Sequence, residues 1–143
     1  MNTKKIKFKL TKISTDQFAI IPDAFKSETE ITLNVGFRFG FNFREQILAV
    51  YALVQFEQDQ SPFLIAESGC HFELEKSFWY ADAQSDKTIN VEREFALHLA
   101  AISIGVVRGV LHAKTEGTPF SHFILPTINV GDILKNDIKI SKT

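Results

Sequence analysis

Every odd position from Ile31 to Phe43 is apolar: Ile31, Leu33, Val35, Phe37, Phe39, Phe41 and Phe43. The even positions, Thr32, Asn34, Gly36, Arg38, Gly40, Asn42 and Arg44, are polar or glycine. A period of two held this long has no helical solution, so it predicts a strand with four phenylalanines on one face. Upstream, Ile6, Phe8 and Leu10 alternate with Lys5, Lys7 and Lys9. This predicts a half-buried edge strand guarded by its lysines, resumed at Phe18–Ile21 after an irregularity at Thr11–Thr15. A turn at Arg44-Glu45-Gln46 leads to a third strand, Ile47–Glu57. Leu48, Val50, Ala52, Val54 and Phe56 line one of its faces, and Ala49, Tyr51 and Leu53 make the other apolar too. Such a strand is expected at the centre of a sheet covered on both sides. Gln58–Pro62 is a turn, and Phe63 to Glu75 a fourth strand broken at Ser68-Gly69.

Beyond a polar linker, Asp82–Lys87, the period changes. Asn90 is placed as the N-cap of a helix from Val91 to Thr115, with Glu92 and Glu94 in its first turn, stopped by Gly117 and Pro119. At about 100° per residue, Phe95, Leu99, Ile102, Val106, Val110 and Ala113 form one apolar stripe. Leu97, Ala100, Ile104, Val107 and Leu111 form a second, and only Glu94, His98, Gly105 and His112 are left for water. A helix on a sheet needs one stripe. The second predicts burial against another subunit, with Leu97, Ala100, Ile104, Val107, Arg108 and Leu111 at the interface. Arg108 there requires an acid or a carbonyl for its charge. The expected fold is α+β: a four-stranded antiparallel sheet with one long helix packed on it. It forms a single domain over residues 1–143, with 135–143 a polar tail.

Composition sharpens this picture in one respect. The chain has 14 Phe against one Trp and two Tyr, an excess suited to apolar contact rather than to chemistry. A net charge of −1 gives no electrostatic case for a nucleic-acid partner. A single cysteine suits a reducing compartment. The charged N-terminal residues are not followed by an apolar run of about 7–15 residues, so no signal peptide is expected. The charge-free stretch Phe95–Val107 is short for a bilayer span. A cytoplasmic protein without membrane insertion is the expectation.

The ordered set of segments resembles the SecB family of protein-export chaperones over about residues 5–134. Ile6-Lys7-Phe8-Lys9-Leu10 through Pro22 is similar to the family's first strand. Pro62-Phe63-Leu64-Ile65-Ala66-Glu67, with Ser68-Gly69-Cys70-His71-Phe72, is similar to its fourth. Arg108, Gly117, Pro119-Phe120 and Leu125-Pro126-Thr127-Ile128-Asn129-Val130-Gly131-Asp132-Ile133-Leu134 resemble its helix end and final segment. The resemblance implies a tetramer, a dimer of dimers with helices sandwiched between two sheets, and apolar grooves that hold unfolded or nascent polypeptides. The two-striped helix by itself fits a homo-oligomer, dimer or tetramer. Two features depart from the family. Lys135–Thr143 stands where a second helix is expected, and the lysine-rich first strand replaces the acidic surface that meets the export motor SecA, so SecA binding is not expected.

Candidate chemistry is sparse. His98 and His112 are about 21 Å apart along one helix, and His71 and His122 have no ligand spacing, so no metal site is expected. Cys70 and His71 point to opposite faces of a strand, which disfavours a nucleophile pair. Gly36–Gly40 lies within a strand and makes no phosphate loop. Asn129 and Asp132 fit a turn after Pro126. No enzyme activity and no cofactor are expected. Phe37, Phe39, Phe41 and Phe43 are the candidate client-binding row of an ATP-independent holdase. A dedicated interaction module with one partner, such as an antitoxin, and a carrier of a small apolar ligand are the alternatives.

Overall fold

The computed structural model describes residues 5–81 and 88–141; the expected linker Asp82–Lys87 lies outside them. Four long strands form one antiparallel sheet: β1 (Phe8–Ile20), β2 (Thr32–Asn42), β3 (Ile47–Gln58) and β4 (Ser61–Leu74). Their order is β1-β4-β3-β2. The long helix α2 (Arg93–Thr115) follows a short helix α1 (Lys76–Ala81) and a short strand β5 (Thr88–Val91). The chain ends in a single turn α3 (Val130–Ile133) and a strand β6 (Ile138–Ser141), which pairs with β5. The α+β architecture is the one the periodicity predicts.

Local physics sets the boundaries. Asp59 and Gln60 both have positive φ (50° and 66°), so β3 and β4 are joined by a two-residue turn of the hand that suits twisted strands. Gly117 takes φ +80° just past α2, where glycine is least strained. Thr11 and Asp16 are extra residues in β1 relative to β4, two bulges in the edge strand. The expected break at Ser68-Gly69 is therefore not in β4, whose register with β3 runs unbroken there. Gly69 is required for another reason: a Cβ there would lie 2.8 Å from the Tyr51 ring and 2.7 Å from Ser14 Oγ. Phe63 is the extra residue of β4 opposite Phe56–Glu57. It is fully buried with Phe25, Phe56, Phe120 and Phe123 at centroid distances of 5.0, 6.5, 6.0 and 5.1 Å.

The helix begins two residues later than expected. Asn90 belongs to β5, and Glu92 is the N-cap position without a side-chain cap bond. Asp137 serves instead, accepting from the Arg93 backbone N–H at 2.9 Å. The tail also departs from expectation, because Ile138 and Ile140 alternate with Lys139 and Ser141 and so carry strand periodicity. By length and composition α2 would suffice to cross a bilayer, but Ala96, Leu99, Ala100, Ser103, Ile104, Val107, Leu111 and Thr115 are buried. The Ser103 and Thr115 hydroxyls donate to the carbonyls of Leu99 and Leu111, which removes their desolvation cost.

Candidate functional site

α2 packs on β3 and β4, the two middle strands. The even-numbered residues of β3, from Leu48 to Phe56, face it, as do Leu64, Ala66, Cys70, Phe72 and Leu74 of β4. Burial pushes the Cys70 thiol up, partly offset by a hydrogen bond with Ser103. The sheet is four strands wide and the helix covers about two, so each outer strand leaves an apolar flank beside the helix.

On the β2 flank run Phe37, Phe39, Phe41 and Phe43, the row expected to hold clients. All four are half-buried and pack against the core. Phe41 and Phe43 meet Trp79 of α1 at 6.4 and 5.8 Å. The segment after α2 lies over this flank. Ile128 and Val130 join the cluster that holds Leu33, Val35 and Phe37, and Ile138 and Ile140 join the cluster that holds the rest of the row.

On the β1 flank the arrangement is open. Phe95 of α2 meets Phe8 at 5.8 Å, which fixes the side of the helix that faces β1. Ile102 and Val106 lie on that side and are half-buried. Leu10 and Ile13, on the helix-side face of β1, are 38% and 53% exposed. A hollow of about 540 Å3 between Ile6, Phe8, Phe95 and His98 opens at one end, bordered by Lys5, Lys7, Glu92 and Glu94. Leu10, Ile13, Ile102 and Val106 were not among the candidate site residues. Their exposure follows from the width of the helix relative to the sheet, which no local pattern encodes.

The residues assigned to a subunit interface are placed differently. Ala100, Ile104, Val107 and Leu111 are buried on this chain's own sheet and Leu97 is half-buried, so the second stripe is the core stripe. Arg108 does find carbonyls, but within the same chain: Nε donates to Leu125 O at 2.9 Å and Nη2 to Pro126 O at 2.8 Å. The outward face carries Glu94, His98, Ala101, Gly105, Gly109 and His112, all exposed. Of the first stripe, Leu99 is also buried in this chain's core, and Phe95, Ile102 and Val106 lie toward β1. Asn129 fixes the turn as expected, its Oδ1 accepting from Gly131 N at 3.0 Å.

The face of the sheet opposite the helix has no covering layer among the described residues, against the expectation that β3 is covered on both sides. It holds a shallow concavity of about 560 Å3. There the Arg38 guanidinium stacks 3.8 Å over Tyr51 and Nε approaches Glu67 Oε2 at 3.3 Å. Glu67 is nearly buried while Arg38 is open, so this pair tidies a desolvated carboxylate rather than presenting a free charge. His71 borders the same concavity, its pKa lowered by burial and by Lys12. Among the described residues no three His, Cys, Asp or Glu side chains converge.

No family model matches the chain, and no curated protein matches it. Among solved structures it is similar to a protein of unknown function from Streptococcus agalactiae, at 14% identity and a TM-score of 0.43, over 88% of this chain and 100% of that one.

Proposed function

We propose that this protein is an ATP-independent holdase of the cytoplasm, which keeps unfolded or nascent chains from aggregating by covering their apolar side chains. The observation that carries this reading is the open trough between β1 and α2, with Leu10, Ile13, Ile102 and Val106 along it. Apolar surface left in water forgoes about 25 cal/mol per Å2, and a strip beside a filled core marks a surface that another chain covers. An unfolded chain meets that requirement with any aliphatic or aromatic side chain. The resemblance of residues 5–134 to the SecB family supports the same reading, while the lysines at the mouth of the trough leave SecA docking outside it.

The test is light scattering of chemically denatured proteins diluted into buffer without ATP. Near-stoichiometric protection of several unrelated substrates is the expected result. Protection of a single protein would replace the holdase by a dedicated partner module. No protection, together with a copurifying apolar molecule, would make it a carrier.

Self-association belongs to the same proposal, through the outward face of α2 rather than the stripe first assigned to it. Ala101, Gly105 and Gly109 carry no charged group at the middle of this face, and such small residues let a second helix approach closely. A Cβ at Gly105 meets nothing within 4 Å, so a larger side chain fits the single chain and only an interface opposes it. Wild-type protein is expected to scatter as a multiple of 16.2 kDa, and Gly105→Leu to shift it toward the monomer. A monomeric wild type at micromolar concentration removes this part of the proposal.

A further inference from the structure

The chain's own C-terminal segment lies in the channel between α2 and β2. From Pro126 to Ser141 it runs back along the helix, held at its start by Arg108 and at the helix N-terminus by Arg93. Arg93 Nε donates to Leu134 O at 2.9 Å and Nη2 to Gly131 O at 3.1 Å, and Asp137 caps the helix. β6 then pairs with β5 and lies beside β2. A cleft of about 370 Å3 remains where Ile128 and Ile133 approach Leu33 and Val35.

The segment fills the channel without being built into the core. No residue from 126 to 141 is buried, whereas Phe120, Phe123 and Leu125 immediately before it are. Its hold consists of partly exposed hydrogen bonds, each of which water can replace, and of half-buried aliphatic contacts. Segments of this kind open at free energies far below that of global unfolding. Burial ends at Leu125, and from Pro126 onward the segment is held by these hydrogen bonds, the β5–β6 ladder and half-buried side chains alone.

We infer that residues 126–141 form a strap that occupies the α2–β2 channel in place of an apolar extended polypeptide, so that its release uncovers the phenylalanine row of β2 as a second holding surface. The occupant is argued from the strap itself. Ile128, Val130, Ile138 and Ile140 already rest on the clusters that contain Leu33, Val35 and the row, which shows that the channel accepts aliphatic side chains from an irregular or extended backbone. A client with the strap open competes for the same positions, and its apparent affinity falls by the fraction of molecules that are open. The inference rests on the holdase reading for what enters the channel, but not for the strap or its movement.

The experiment uses the full chain with Asn90→Cys and Lys139→Cys, positions directly opposite in the β5–β6 ladder. Asn90 Oδ1 is buried without a partner, and the substitution removes only the long bond from Nδ2 to Asp137 Oδ2 (3.5 Å), which is absent in the locked and the reduced form alike. Oxidation locks the strap and reduction frees it in the same protein, with circular dichroism confirming that both forms are folded. Two probes are read: an apolar-surface dye, and a fluorescent unfolded polypeptide. The locked form is expected to bind dye less and the polypeptide about tenfold more weakly than the reduced form. The further variant Arg93→Gln, reduced, is expected to exceed the reduced double variant in both. Dye binding that is the same locked and free overturns the strap. Dye binding that follows the lock while no polypeptide binds in either state leaves the strap standing and overturns the holdase. A lock that unfolds the protein on oxidation also overturns it, because the strap as described is already closed on β5.

Discussion

Phe63→Ala is expected to lower stability by about 3–5 kcal/mol, a large share of the roughly 5–15 kcal/mol that holds a small domain together. Phe63 has no exposed surface, and its ring is shared among β4, the loop after β1 and the turns after α2 through Phe25, Phe120 and Phe123. Removing it leaves a cavity that three segments would have to close together, and aromatic pairs contribute further stability beyond the area they bury. The neighbours cannot collapse independently, because the bulge that turns Phe63 inward is fixed by the register of β3 and β4. Thermal and urea unfolding followed by circular dichroism measure the loss. A change below about 1 kcal/mol would mean that this end of the molecule is loosely packed.

The second large effect separates the two sides of α2. Ile104→Asp places a carboxylate where 4% of the residue is exposed, against β3 and β4, and Arg108, one turn on, already donates to the Leu125 and Pro126 carbonyls. A buried unpaired charge costs more than about 4 kcal/mol, so the variant is expected to be unfolded or insoluble. Ile102→Asp, two residues earlier on the β1 side, has water within reach and is expected to cost about 1 kcal/mol or less. It should keep the fold and lose most of the protection of aggregating substrates, because it charges the open trough. Circular dichroism and the aggregation assay on the same two variants give the answer. If Ile102→Asp protects as well as wild type, the trough is not where clients are held.

The alternation from Ile31 to Phe43, the two-faced Ile47–Glu57 segment and the long apolar helix were each legible, because period and length are properties of the chain itself. They suffice for four strands and a helix, for the edge position of the lysine-rich β1, and for the glycine that ends α2. The helix also announced two stripes. Which stripe meets the sheet was not legible, since each is apolar and a helical wheel has no absolute orientation. The contacts of Phe95 with Phe8 on one side and of Arg108 with Leu125 and Pro126 on the other decide it.

The tail shows the same division. Ile138 and Ile140 alternate with polar neighbours over only four residues, too short a run to stand out from chance, and their partner β5 lies some fifty positions earlier. Helix capping by Asp137 is equally silent in sequence, where a cap is sought next to the helix it serves. The candidate site divides along these lines. The phenylalanine row is written in the local pattern of β2. Its covering by a distant strap, and the opening of Leu10 and Ile13 on the other flank, come from how a helix about 10 Å wide sits on a sheet of four strands spaced about 4.8 Å apart. Local patterning determines which faces are apolar; the widths and connections of the packed layers determine which of those faces remain open.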